Sequence, residues 1–424
     1  MEDISDMVAG VLSEEPLLQL EATTKFRKFL SSNVTSNVDE VIESGTVPRF
    51  VEFLKKEDSP KLQYEAAWII TNIAAVNLDV VIDHGAVPIL VQLLASPNDD
   101  VLEQAMWALS NVAGSSTENR DFVLKSEALI TLCSHLNKDT TKMSTLEVGT
   151  WTLLNFCRGM PRPLFDQVKP ALPALKRLLQ SDDEELLSDA CSALWYMSYG
   201  SDEGIQCVIE DGFVPRLVQL FHHTSPFVID PVRGIICAIL SIDKQQIQCV
   251  IDGGALAILA NLLTQDCDKS IKMEACWMIT NITVGTEEQI QSVIDANLIP
   301  ILVNLAQTAE MNIKTKAIWA ISFAISGGSD AQVKYLVKEN CIKPLCDLLV
   351  CPDLMAISVC LDGLECLLII GEAKKKRGEV NCYAKMIKDA KGLEKIQNLK
   401  SHDHTPIKDK AVMIREKYWP LKKR

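Results

Sequence analysis

The chain has 424 residues, 48% of them apolar, with only 19 Gly and 17 Pro, a composition that supplies a large core and favours long helices. Its formal charge of −14 is unevenly divided: residues 371–424 carry 16 Lys and Arg against 7 Asp and Glu, whereas residues 1–370 carry 26 against 49. So acidic a body repels nucleic acid and draws cationic partners.

In chain order, the first stretch, MEDISDMVAGVLSEE, lacks the basic, apolar and small-residue succession of a secretory leader. No uninterrupted apolar run is read as reaching the roughly 18 residues of a membrane span, so a soluble, intracellular protein without membrane partners is expected. Next come a short apolar segment (VDEVIESG, 38–45), a Pro-led helix (VPRFVEFLKK, 47–56) and a longer helix (SPKLQYEAAWIITNIAA, 59–75). The turn between them, GTVP at 45–48, returns as GAVP at 85–88, GFVP at 212–215 and NLIP at 297–300. Gly or Asn ends one helix in the left-handed conformation and Pro opens the next.

The long helix carries a second signature. WIITN at 68–72 returns as WALSN at 107–111, WTLLN at 151–155 and WMITN at 277–281. With Ser192, Gly234, Trp319 and Asp362 as equivalents, the marker recurs every 39 to 44 residues. That is the period of armadillo or HEAT helical repeats, and three helices per unit favour armadillo. The expected fold is all-α, a right-handed superhelical solenoid of about ten repeats of about 42 residues. The expected divisions are a first repeat at 1–46, repeats two to four at 47–170, five and six at 171–255, seven to nine at 256–390, and the last repeat with a basic tail at 391–424.

At about 100° per residue, Ala66, Ala67, Ile73 and Ala74 fall within about 60° of Ile70, while Trp68 and Asn72 lie near the opposite pole. The same holds around Leu109 and Ile279. One acid or amide precedes each Trp by a turn: Glu65, Gln104 and Glu274. Stacked repeats would align these residues along a concave face. Indoles one repeat apart form slots for the stems of Lys or Arg, by apolar contact and cation–π attraction. The Asn amide offers a donor and an acceptor to an extended backbone, and acids at the rim select positive charge. An extended basic peptide is the ligand such a face suits.

Other features carry less chemistry. The 14 cysteines, Cys133, Cys157, Cys191, Cys237, Cys276 and Cys360 among them, form no CxxC pair and read as reduced core residues, so neither metal nor cofactor is expected. No GxxxxGK, HExxH or GxSxG motif is present, and DDEE at 182–185 reads as a solvated helix start, so no enzyme is expected. GEAKKKRGEV at 371–380 reads as a basic loop and LKKR at 421–424 as a disordered tail.

Taken together, the first-repeat segments DISDMVAGVLS and IESGTVPRFVEFL, the Trp and Asn ladder, WTLLNFCR, CWMITNIT, LDGLE and the closing GLEKIQNLKSHDHTPIKDKAVMIREKYW resemble the importin α family, armadillo receptors for nuclear localisation signals. The resemblance spans essentially the whole chain. It implies a nuclear import adaptor working in cytoplasm and nucleus, with a major signal site on repeats two to four and a minor one on repeats six to eight. By position, the major site would use Trp68, Asn72, Gln104, Trp107, Asn111, Gly114, Ser115, Trp151, Asn155 and Arg158, with Glu185, Asp189 and Tyr196 at its far edge. The minor site would use Glu274, Trp277, Asn281 and Trp319, and Gly234 and Ala238 interrupt the ladder between the two. Implied partners are cargo with basic signals, an exportin with Ran-GTP for recycling, and importin β only where a basic segment precedes the repeats.

The sequence departs from the family at particular positions. Ser115 stands where an acid would pair with the principal lysine, and the loop after Asn72 is about three residues short, leaving Glu118 or Asp79 to compensate. Lys316 replaces an acid one turn before Trp319, Phe323 replaces the ladder Asn, and Trp195 is displaced from position 192. The alternative is an armadillo scaffold that binds other extended peptides in adhesion or signalling. A catenin-like groove would be lined with Lys and Arg, against the acidity of residues 1–370.

Overall fold

The computed structural model describes residues 4–242, 244–266, 268–376 and 380–420. Two helices, Ile4–Leu12 and Pro16–Ser32, come first, and the described chain then runs through nine successive groups of three. A group consists of a short helix, a second helix begun at the turn, and a longer third helix; the first is Val34–Glu43, Val47–Phe53 and Pro60–Val76. No strand occurs among the described residues. The chain forms two compact units, Met1–Ile235 and Ile236–Arg424.

Local chemistry sets these boundaries. Gly45, Gly85, Gly212 and Asn297 hold φ of 70°, 69°, 73° and 56°, the left-handed conformation expected at the recurring turn. Three groups without the glycine signature use Glu127, Asn340 and Lys391 at φ of 62°, 65° and 61° for the same bend. Side chains close several helix starts: Asn98 Oδ1 accepts from the Val101 amide at 3.1 Å, and Asp183 Oδ1 from the Leu186 amide at 3.0 Å, which makes DDEE a capped helix start.

Within the first unit the long helices pack in series, Pro60–Val76 on Asp99–Ser115, then Met143–Cys157, then Glu184–Ser198. In the second unit Lys269–Thr283 packs on Met311–Gly327, and that on Leu354–Lys376. The apolar stripe provides the contact: Ala66, Ala67, Ile70, Leu109, Val112, Ile279 and Ile282 are all fully buried. Second helices are tied by a recurring bond in the first unit. His135 Nε2, Arg177 Nη1 and Arg216 Nε each donate, at 2.7 Å, to the carbonyl of Leu94, Leu136 and Leu179, the exposed C-terminal acceptors of the preceding second helix.

Two expectations need correction. The basic loop at 371–380 is helical as far as Lys376, because the third helix of that group runs from Leu354 to Lys376; Arg377 and the LKKR tail lie outside the described residues. The same helix contains a 20-residue stretch, Leu354–Ala373, apolar and long enough by composition to cross a membrane, contrary to the reading that no run is long enough. It packs between Met311–Gly327 and Thr405–Tyr418, and more than half of its most apolar window is buried. Its Asp362 and Glu365 both pair with Lys410 of the final helix, the contacts of a core helix.

If the stripe holds the row together and the ladder does not, Ile70→Ala should cost about 2–5 kcal/mol. Trp107→Ala, at a side chain 40% exposed, should cost far less. Urea unfolding followed by circular dichroism reads both; equal losses would make Trp107 a packing residue.

Candidate functional site

Serial packing of the long helices sets positions one repeat apart side by side. Opposite the buried stripe, Trp68, Asn72, Gln104, Asn111, Trp151, Glu274, Trp277, Asn281 and Trp319 are half-buried, and Trp107 is exposed. Asn155 departs from the outward placement, with only 2% of its surface exposed. The amides are also partly engaged. Asn111 Nδ2 donates to the Thr71 carbonyl at 3.2 Å, Asn155 Nδ2 to Ser110 Oγ at 2.6 Å, and Asn281 Nδ2 to Ser241 Oγ at 3.4 Å. Each amide leans on the preceding repeat, so part of its donor capacity already ties rungs together. Asn72 Nδ2 and Asn155 Oδ1 are buried without a partner, a costly condition.

Between Trp107 and Trp151 lies an open cavity of about 250 Å³, lined also by Glu147, Val148, Glu185, Leu186 and Asp189. It has two indoles, two aliphatic side chains and three carboxylates, and no cationic residue lines it. Burial, with the Glu185 charge adding to it, pushes the Asp189 carboxyl up to about 6. An incoming ammonium or guanidinium would reverse that shift. Glu185 and Asp189, expected at the far edge of the major site, both line this cavity. Glu147 was missed in the sequence because it precedes Trp151 by four residues, with Val148 at the three-residue spacing seen at Glu65, Gln104 and Glu274. Both spacings reach the same helix face.

Around this slot the chain uses its own cations. The Arg27 guanidinium lies 4.7 Å from the Trp68 ring centroid, and its Nε donates to Glu65 Oε2 at 2.8 Å. Tyr64 meets the same indole edge-on at 5.5 Å. Arg158 sits 5.7 Å from the Trp151 centroid and donates to the Gly114 carbonyl at 3.4 Å. Gly114 permits this approach, since a Cβ there would stand 3.2 Å from both Arg158 and Asn155. Arg120, fully buried, anchors the following turn by donating at 2.9 Å to the carbonyls of Arg158 and Pro161. Ser115 Oγ donates to the Val112 carbonyl at 2.7 Å and accepts from Asn119 Nδ2 at 3.0 Å, so it supplies no charge.

Tyr196 lies outside the cavity lining, edge-on to Trp195 at 4.9 Å, with Tyr199 on the same indole at 5.0 Å. The displaced Trp195 fills the place of the missing ladder side chain at Gly234, where a Cβ would come within 2.4 Å of its Nε1. The interruption at Gly234 thus makes room for a neighbouring indole.

The equivalent slot of the second unit differs. Trp277 and Trp319 have ring centroids 6.1 Å apart, and Lys316 Nζ stands 4.6 Å from one and 4.1 Å from the other. Among the described residues no cluster of His, Cys, Asp or Glu is placed to hold a metal ion. Burial pushes the thiols of Cys133, Cys191 and Cys276 up to about 12, which keeps them protonated and inert.

A family model of the armadillo/beta-catenin-like repeat matches residues 35–75, 76–114, 167–199, 243–284 and 286–322, and an atypical armadillo repeat matches 381–423. Of the three longer stretches left unmatched, 115–166, 200–242 and 323–380, the first is filled in the structure by three helices of the same form, ending in Met143–Cys157 with Trp151. The sequence is 56% identical over 424 residues to importin subunit alpha-1b of Oryza sativa subsp. japonica, covering 99% of this chain and 79% of that protein. It is 59% identical over 419 residues to importin subunit alpha-5 of Arabidopsis thaliana, covering 98% and 80%. An engineered protein of known structure aligns with a TM-score of 0.72 at 26% identity, covering 98% of both chains. Armadillo repeat proteins designed computationally for modular peptide recognition align with a TM-score of 0.53 at 27% identity, covering 58% of this chain and 99% of the designed one.

The fold holds the Asp189 proton more tightly than an unfolded chain would, so this group favours folding as pH falls through about 6 and opposes it above. Asp189→Asn should therefore raise the thermal midpoint at pH 7.5, with the gain shrinking as pH falls towards 4. A gain independent of pH would mean that Asp189 is not the titrating group.

Proposed function

The chain belongs to the importin alpha family, and from that premise we propose that it takes up the Lys- and Arg-rich signal of its cargo in the slot between Trp107 and Trp151. The chain is a nuclear import adaptor: it binds extended basic signals along its Trp and Asn face. The observation that carries the choice of slot is the cavity itself, with two indoles, three carboxylates and no internal cation. The apolar stem of a lysine lies between the indoles while its ammonium reaches Glu147, Glu185 and Asp189. Asn72 and Asn111, both half-buried, bond the peptide backbone, which fixes the strand without reading its side chains; the buried Asn155 supports the Asn111 helix through Ser110.

The three carboxylates take over the charge that Ser115 does not provide. Their spread over two neighbouring long helices accepts guanidinium as well as ammonium, so the slot discriminates weakly between Arg and Lys. Trp68, Gln104, Gly114 and Arg158 frame the peptide on either side, with Arg27 covering the Trp68 ring. Tyr196 acts through Trp195 and makes no contact with the peptide. The work is binding, not catalysis. Importin β engages through a segment ahead of the repeats where one exists, an exportin with Ran-GTP recovers the emptied receptor, and the protein moves between cytoplasm and nucleus.

Anisotropy of a fluorescent Lys-rich peptide tests the assignment. The Trp107→Ala, Asn111→Ala double variant should weaken binding at least about tenfold, or about 1.4 kcal/mol. Equal affinity in variant and wild type, or no binding by either, would sink it. The affinity should also fall as pH drops below about 6, because a bound cation favours ionised Asp189, and it should fall with added salt.

A further inference from the structure

The two indole pairs of this chain hold equivalent repeat positions and differ in what surrounds them. In the Trp107–Trp151 slot the residues beneath the rings are acidic and the space is open. In the Trp277–Trp319 slot, Lys316 Nζ stands within 4.6 Å of both ring centroids. Such a placement, over both rings and not sandwiched between them, is a cation–π contact of the kind a cargo lysine would make. The backbone that carries it is also anchored. Lys316 lies on Met311–Gly327 one turn before Trp319, and Thr280 Oγ1 of the neighbouring long helix donates to the Lys316 carbonyl at 3.3 Å.

We propose that Lys316 is an internal ligand that fills the Trp277–Trp319 slot and closes it to basic side chains of cargo. The inference rests on the reading of the ladder as a basic-peptide face. A lysine or arginine from a peptide would have to expel Lys316 from both rings or share the slot with it, and two like charges at that distance repel. The backbone clasp is weakened at the same rung, because half-buried Phe323 stands where an asparagine amide would be and offers neither donor nor acceptor. A slot is thus lost to cargo through two side chains while both tryptophans remain. Lys316 becomes the residue that decides specificity: it confines recognition to the acidic slot of the first unit, so the protein reads one basic cluster.

The test removes the first slot and opens the second. In the Trp107→Ala, Asn111→Ala background, a single-cluster Lys-rich peptide should bind at least about tenfold more weakly than to the wild type. Adding Lys316→Glu, which puts a carboxylate beneath the two rings, should raise its affinity at least about tenfold. Adding Lys316→Met, which keeps much of the stem and removes the charge, should give a smaller gain. Thermal midpoints within a few degrees of the background establish that both variants fold, and either one suffices for the measurement. Folded Lys316→Glu and Lys316→Met proteins that bind no better than the background would overturn the proposal. So would peptide binding by the background protein with Lys316 intact, if Trp277→Ala then abolished it. A wild-type chain that binds no basic peptide would overturn the ladder reading and this inference together, whereas normal wild-type binding with unresponsive Lys316 variants overturns this inference alone.

Discussion

Every functional distance in the molecule depends on one constraint: within each unit, successive long helices bury an apolar stripe against one another. Ile70, Leu109 and Ile279 lie at the centres of such stripes, all inaccessible to solvent. A helix pinned along one side has little freedom to rotate, so the residues on its other side are held at a fixed angle and one helix spacing from those of its neighbour. Within each unit, tryptophans can then form slots although they are some 40 residues apart in sequence. Asn111 bonding to Thr71 and Asn155 bonding to Ser110 secure the same spacing from the open side.

A slot framed by two indoles is indifferent to which cation enters it, and the chain exploits this in opposite ways. Where Glu147, Glu185 and Asp189 gather, negative charge is crowded and partly desolvated, a state that favours an incoming cation. Where Lys316 lies over both rings, the same attraction is satisfied from within. Arg27 over Trp68, which also bonds Glu65, is a milder instance at the start of the row. Cation–π contact therefore serves both ligand capture and self-closure, and the sign of the charge beside the indole sets which.

Much of this was legible in the sequence. The interval between WIITN, WALSN, WTLLN and WMITN fixes the repeat, the GTVP-like turns mark the bends, and helical periodicity separates Ile70 from Trp68. What escaped is what depends on side-chain reach between repeats. Periodicity assigns a face and says nothing about how closely the next helix covers it, so Asn155 was placed outward although it is buried. Glu147 hid one position away from the expected spacing. Lys316 is visible as an exchanged charge, but its reach over two rings follows from a rotamer and a 6.1 Å ring separation that no linear pattern encodes. The last turns of the helix, from 371 to Lys376, resemble a loop in the sequence because a lysine run is also typical of solvated turns, although lysine is a good helix former.

The bends between helices have an implication for how this chain can change over time. Gly45, Gly85, Gly212 and Gly254 adopt the left-handed conformation without penalty, whereas Glu127 and Lys391 do so with side chains that strain it, by about 1 kcal/mol each. The array tolerates the strain because each bend belongs to one repeat and its effect is shared only with the adjoining ones. The strained bends therefore mark an unused reserve, separate from the binding face. A lineage could recover stability there by a single exchange to glycine, and so carry a destabilising change among the tryptophans without altering the spacing that recognition requires.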